Sequence, residues 1–190
     1  MTPQQKTPQL KAKYKDSHYA VVDLGSNSFH LLITQLVNNQ VKVVDKIKQK
    51  VRLAASLNSN NELSHDAINR GITCLILFSQ HLEGIPVSNI RIVATAALRI
   101  AINRDDFIKV ANKILPLKIK LLSGDQEANT IYSCVAHTCQ DNVDKKRLVI
   151  DIGGASTELI IGQGFDAKHA ISLNLGCVSF KEKFFADNLL

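Results

Sequence analysis

Asp151 and Glu158 bracket the turn Ile152-Gly153-Gly154-Ala155-Ser156-Thr157. Two adjacent glycines leave backbone N–H groups uncovered, and such a nest accepts an anionic oxygen. Carboxylates on either side of the turn can face one divalent cation through its waters. The alternative for Glu158 is a solvated strand residue. The same phrase occurs earlier in the chain as Val22-Asp23-Leu24-Gly25-Ser26-Asn27-Ser28-Phe29-His30, where His30 stands in the place of Glu158. There Asp23 closes an apolar strand, and Gly25, Ser26, Asn27 and Ser28 form the turn. Asp23 either binds a cation or its water, or fixes the turn by local hydrogen bonds. One such turn alone reads as turn chemistry. Two copies, each with an Asp before the glycine, point to a phosphate chain held from both sides.

Two further residues suit phosphate chemistry. Thr95-Ala96-Ala97-Leu98-Arg99 follows a short apolar strand and opens a helix, whose free N–H groups favour an anion near Thr95. Arg99 lies one turn on, and its planar guanidinium can clamp a phosphoryl group. The competing role is an ordinary surface ion pair with Asp105 or Asp106. Glu127 falls in the first turn of a helix opened by Ser123, where the dipole favours a carboxylate for structural reasons alone. Its chemical reading is a general base that takes a proton from an attacking water. His30, His65 and His137 have no partners nearby in sequence and read as structural or surface residues.

The elements that must position these groups follow from pattern. Tyr19–Asp23 and Ser28–Leu36 flank the first turn, Asn38-Asn39 is a tight-turn signal, and Val41–Val51 carries a third strand. Ser64 opens a helix over His65–Glu83, with Ile68, Ile72, Leu75, Ile76 and Leu82 as its apolar stripe and Gly84 as its stop. Ile90–Ala94 reads as a central parallel strand, Asp105–Leu115 as a helix and Lys118–Leu122 as a strand. Ser123 and Gln126 form a capping box for a helix reaching Thr138. Asp141–Lys146 reads as a polar turn. Arg147–Asp151 and Glu158–Ile161 flank the second turn, Gly162–Gly164 turns again, Ala170–Leu173 is a strand, and Gly176–Asp187 is helical. Residues 1–17, with Lys6, Lys11, Lys13 and Lys15, read as a flexible leader.

Bulk properties narrow the class. The 190 residues are 45% hydrophobic and 21% charged, with a net charge of +6. That is an ordinary globular balance, and the basic excess fits either a polyanionic ligand or plain solubility. Cys74, Cys134, Cys139 and Cys177 form no metal-type spacing. Cys74 and Cys134 read as core thiols, which suits a reducing cytoplasm. The apolar runs are too short to span a bilayer. Neither a nucleic acid nor a membrane is expected as partner.

The ordered stretches DLGSNSFHLLI, VATAALRIAINRDDF, LLSGDQEA and VIDIGGASTELIIG resemble the exopolyphosphatase/guanosine pentaphosphate phosphohydrolase family over Tyr19 to Leu190. The resemblance implies an α/β, actin-like ATPase (ribonuclease H-like) fold with a mixed five-stranded sheet flanked by helices. It implies a complete first lobe, 18–124, and the start of a second, 125–190, so that the chain reads as the N-terminal piece of a longer enzyme. It implies Glu127 as the water-activating base, Arg99 as the phosphate-contacting arginine, and Asp151, Glu158 and Asp23 as the acids that handle Mg²⁺. The turn residues Gly25, Ser26, Asn27, Ser28, Gly153, Gly154, Ala155 and Ser156, with Thr95, would hold phosphate. Lys50–Asn58, Ala155, Val135–Thr138 and Phe185–Asp187 resemble the guanosine pentaphosphate branch. The implied reaction is hydrolysis of pppGpp to ppGpp, the alternative being inorganic polyphosphate cut from its end. A homodimer is implied for the full-length protein. Gln126 and Asn129 depart from the family pattern, where an acid and an arginine are usual.

Two other classes share these motifs. An actin-like or sugar-kinase-type ATP binder would transfer phosphate to a second substrate. A sensor would bind (p)ppGpp or polyphosphate without releasing phosphate.

Overall fold

The computed structural model describes residue 14 and residues 16–139 and 144–185. Strand β1 (His18–Leu24) pairs antiparallel with β2 (Ser28–Val37), which pairs antiparallel with β3 (Gln40–Lys50). Asn38 and Asn39 join β2 to β3 with φ of 50° and 59°, the left-handed pair that a two-residue hairpin needs. Helix α1 (His65–Leu82) then crosses to β4 (Ile90–Ala94), which lies parallel to β1. Helices α2 (Ala96–Ile100) and α3 (Arg104–Ile114) lead to β5 (Lys120–Leu121), parallel to β4. The sheet order is β3-β2-β1-β4-β5, the mixed five-stranded sheet expected.

One face of this sheet makes the core. Ala20, Val22, Leu24, Phe29, Leu31, Ile33, Ile90, Ile92 and Ala94 are all buried on it. Helix α1 covers them with Ala67, Gly71, Cys74, Leu75, Phe78 and Leu82. Ile76, expected in the stripe, is exposed at 46%, because the buried residues recur along the 67–71–74–78–82 line. Gly71 lets α3 approach: a Cβ there would stand 2.7 Å from the Phe107 ring, which meets Phe29 edge-on at 6.2 Å. Gly84 ends the helix region with φ of 85°. Tyr14, within the stretch read as leader, is buried against the His18 ring at 5.1 Å.

A second sheet, β6-β7-β8, is built from β6 (Lys146–Ile152), β7 (Thr157–Gln163) and β8 (Asp166–Leu173). Helix α4 (Gly124–Thr138) packs Ala128, Tyr132 and Ala136 onto its Val149 and Ile160. The capping box at its start is formed, with Ser123 and Gln126 bonding reciprocally. Cys134 is exposed, not a core thiol: the packed face of α4 follows the 128–132–136 line, which leaves position 134 outside. Gly162 lies inside β7, and the turn falls at Gly164 (φ 56°) and Phe165. Helix α5 (Cys177–Phe184) is shorter than expected. Asp187, the expected end of that helix, and residues 141–143 of the expected polar turn lie outside the described residues.

The two phrases of the sequence return as one geometry. Asp23 pairs with His30 and Leu24 with Phe29 in the first hairpin, while Asp151 pairs with Glu158 and Ile152 with Thr157 in the second. No helix among the described residues is long and apolar enough to cross a membrane.

The seat of α4 on the second sheet is testable. A Cβ on Gly162 would stand 2.1 Å from the Tyr132 ring, whose hydroxyl donates to the Gly164 carbonyl at 3.1 Å. Gly162→Ala should cost about 2 kcal/mol or more through overpacking. Tyr132→Phe should cost about 1 kcal/mol through the lost hydrogen bond. Denaturant unfolding separates the two, and a neutral Gly162→Ala would contradict this packing.

Candidate functional site

The two turns meet. A Cβ on Gly154 would stand 3.2 Å from Ser26 Cβ and 3.5 Å from the Asn27 nitrogen, so the first turn lies directly against Gly154. Gly25 and Gly153 do not take left-handed angles. Their constraint is steric: a Cβ would come within 2.8 Å of the Ser28 carbonyl oxygen in one copy and 3.0 Å of the Ser156 carbonyl oxygen in the other. Gly153 N–H donates to Ser156 O at 2.9 Å, closing the second turn. The next N–H groups, of Gly154, Ala155 and Ser156, donate to no atom of the described residues. The carbonyls of Gly153 and Gly154 face the other way and accept from Cys177, Val178 and Ser179 at the start of α5. The second turn therefore aims its carbonyls at a helix start and leaves its donors uncommitted, as an anion site requires.

The first turn is organised differently. Ser26 is buried, and its Oγ accepts from Ala97 N–H at 3.1 Å. Ser26 thus caps α2 from a distance, while Thr95, in the cap position, makes no side-chain cap bond. With five residues and one N–H already occupied, α2 is a weaker anion end than expected for Thr95. Asn27 accepts at its carbonyl from Val51 and Arg52 N–H (3.1 and 2.8 Å), tying the turn to the end of β3. Ser28 is buried and pairs with Lys50. Ala155 and Ser156 are buried in the second turn.

Arg99 and Glu127 come together from α2 and α4. Arg99 Nη1 donates to Glu127 Oε2 at 2.8 Å and to the Leu122 carbonyl at 3.1 Å. Its Nη2 donates to Ser172 Oγ at 3.4 Å, and Ser172 Oγ donates to Glu158 Oε1 at 2.7 Å. Arg99 is thus no surface partner of Asp105 or Asp106; it orients Glu127. Glu127 Oε1 has no hydrogen bond among the described residues, so one oxygen is held and the other is open. Ser172 gave no signal in the sequence. It is a serine in a strand, and only its register opposite Glu158 reveals it. Gly124 matters for the same reason, since a Cβ there would stand 2.5 Å from Ser172 Cβ and lift the start of α4 off β8.

The acids share one electrostatic neighbourhood. Burial pushes the Glu127 carboxyl above the usual carboxylate range; the Arg99 hydrogen bond and charge oppose this, and the Glu158 and Asp23 charges add to it. Burial also raises Asp23, with His30 opposing and Asp151 reinforcing the rise. Asp23 Oδ1 is buried with no partner. Glu158 is buried, and Asp151 across from it is exposed. Hard carboxylate oxygens with an orphaned buried acceptor suit Mg²⁺. No three acidic, His or Cys side chains among the described residues come close enough to cage a metal. The set therefore fits an ion held by one or two carboxylates, with water and phosphate oxygens supplying the remainder.

An unpaired buried carboxylate has a measurable consequence. A carboxyl whose folded pKa is raised loses stability as pH climbs from its ordinary value, 3.8 for Asp23, through the folded value. Asp23→Asn should therefore stabilise the protein at neutral pH and do so progressively less toward pH 4. Thermal unfolding across that range checks it, and a gain that is constant with pH would contradict the burial of an ionised Asp23.

A family model described as the Ppx/GppA phosphatase family matches residues 32–190. Guanosine-5'-triphosphate,3'-diphosphate pyrophosphatase of Aliivibrio fischeri is 53% identical over 181 residues, covering 95% of this chain and 36% of that protein. The chain thus spans about a third of the length of the curated relatives it matches. Among solved structures, an exopolyphosphatase from Cytophaga hutchinsonii superposes with a TM-score of 0.82 at 27% identity, covering 88% of this chain and 53% of that one. The Aquifex aeolicus member of the Ppx/GppA family superposes with a TM-score of 0.74 at 27% identity, covering 88% and 54%. With its two facing turns on an actin-like ATPase fold, the chain belongs to the Ppx/GppA phosphatase family.

Proposed function

We propose that this chain carries the catalytic cleft of an enzyme that hydrolyses the terminal 5′ phosphate of pppGpp, giving ppGpp and phosphate. The observation that carries this reading is the Arg99–Glu127 pair beside the facing turns, with one carboxylate oxygen held and one open. A phosphoanhydride needs charge neutralisation, positioning and an oriented water more than covalent chemistry. The free N–H groups of Gly154, Ala155 and Ser156, with Thr95 and the first turn, would hold the terminal phosphates. Glu127 Oε1 would take a proton from water as its oxygen bonds to the terminal phosphorus. The anhydride bond to the next phosphate then breaks, and that phosphate leaves with the electron pair. Burial that raises Glu127 makes it a better base at neutral pH than an exposed glutamate. Asp151, Glu158 and Asp23 are the residues that would hold Mg²⁺, which when bound neutralises charge on the phosphate oxygens.

The names of the relatives favour pppGpp, while the exopolyphosphatase among the structural neighbours supports inorganic polyphosphate as a second substrate. A cavity of about 640 Å³ beside Ala155, lined by Asn58, Asn174, Ser179 and Lys183 among others, offers room for a substrate beyond its phosphates. The separate sheets support a first lobe over 18–124 and the start of a second over 125–190. Four free thiols support a reducing, cytoplasmic setting. The homodimer implied by the resemblance belongs to the longer protein.

In the full-length enzyme, Glu127→Gln should abolish phosphate release while pppGpp binding stays nearly intact. Retention of most of the wild-type rate would remove Glu127 from the base role. The pH profile provides a second check. Activity requires ionised Glu127, so the rate falls as pH drops through its raised pKa. Arg99→Met removes the two influences that lower that pKa, so the acid limb should move to higher pH, with a rate loss of about 10²-fold or more. A limb that stays put would mean that Arg99 does not act on Glu127.

A further inference from the structure

The face of the five-stranded sheet turned away from α1 and α3 is cationic. On β3 it carries Lys46, Lys48 and Lys50, all exposed. These pair with Leu32, His30 and Ser28 of β2, and directly paired residues share a face. Arg91 pairs with Val21, and Lys120 pairs with Val93, which itself pairs with Asp23, so both cations lie on that side too. Asp23 is the single carboxylate that the register of these five strands places there. None of Lys46, Lys48 or Lys50 is in an ion pair among the described residues. The row has two defined ends. Lys50 stands opposite Ser28, the last residue of the first turn, and the next two N–H groups bond to Asn27 O. At the far end Val44 is a bulge, and beyond it Lys42 pairs with Gln35 on the opposite face.

We propose that Lys46, Lys48 and Lys50 form a track for the part of a linear phosphate chain that extends beyond the cleft. This rests on the phosphate-chain reading of the cleft. Alternate residues of a strand stand about 6.8 Å apart, so the row covers about 14 Å from the first turn. Ammonium groups on flexible stems engage a polyanion as point charges without reading its shape, and such contacts weaken steeply with salt. The division of charge is consistent with this use. Carboxylates gather where water must be activated, and lysines line the path where only negative charge must be held.

The test is binding of long-chain polyphosphate, tripolyphosphate and pppGpp to this chain, wild type against Lys46→Gln/Lys48→Gln, over a salt series. Lys50 is left in place because it adjoins the turn. Long-chain polyphosphate should bind about tenfold more weakly to the variant at low salt, with a salt slope shallower by about two. Tripolyphosphate, short enough for the cleft, should be unaffected. If pppGpp weakens as well, the track also serves the nucleotide's second phosphate group; if it does not, the track is for free polyphosphate. Unchanged long-chain binding, or an equal loss for tripolyphosphate, overturns the track. If the wild type fails to bind tripolyphosphate while long-chain binding still depends on the lysines, the phosphate-chain reading of the cleft fails, and the lysines are a separate polyanion site instead of its extension.

Discussion

The arrangement depends on one ion pair. Arg99 comes from a five-residue helix behind β4, and Glu127 from the first turn of a helix packed on a different sheet. Their 2.8 Å contact is mostly shielded from water, with side-chain exposures of 20% and 14%. In that setting the pair has more geometric authority than a surface salt bridge, because each partner is costly to leave unpaired. The guanidinium also holds the Leu122 carbonyl and Ser172, and through Ser172 it reaches Glu158. One planar group thus joins the residue that follows the first sheet's last strand, the helix packed on the second sheet and the last strand of that sheet.

The surrounding structure serves to bring those partners within reach. Gly154 permits contact between the turns, and Gly124 seats α4 on β8. Ser26 gives up its hydroxyl to cap α2, so the first turn also fixes the helix that carries Arg99. This coupling makes the first turn structural as much as ligand-facing. It also has a cost. Burial and the Asp151 charge raise the proton affinity of Asp23, burial and the Glu158 and Asp23 charges raise that of Glu127, and Asp23 keeps a buried oxygen unpaired. A fold optimised for stability alone would replace that acid. A bound cation or an oriented water would satisfy that oxygen, as the proposed site requires.

Much of this was legible in the sequence. The duplicated Asp–Gly turns were visible as repeated words, and their equivalence, His30 for Glu158 included, holds residue by residue in the strand register. The capping box of α4 and the asparagine hairpin were also readable, because local backbone chemistry fixes both. What failed was what depends on neighbours distant in sequence. Cys134 and Ile76 are apolar residues on helices, and only the direction of packing decides which apolar positions face inward. Thr95 opens α2, but the bond that caps the helix comes from Ser26, in the other strand–turn unit. Ser172 was silent because its role exists only through its cross-strand partner.

Whether Arg99 acts through Glu127 is read from a double-mutant cycle on phosphate release by the full-length enzyme. Arg99→Met and Glu127→Gln are measured singly and together, with folding checked for each. If Arg99 serves to orient and tune the base, the second substitution adds almost nothing once the base is gone, leaving a coupling well beyond 1 kcal/mol. Losses that simply add, each as large in the other's absence, would show that the two side chains work independently and would contradict the account.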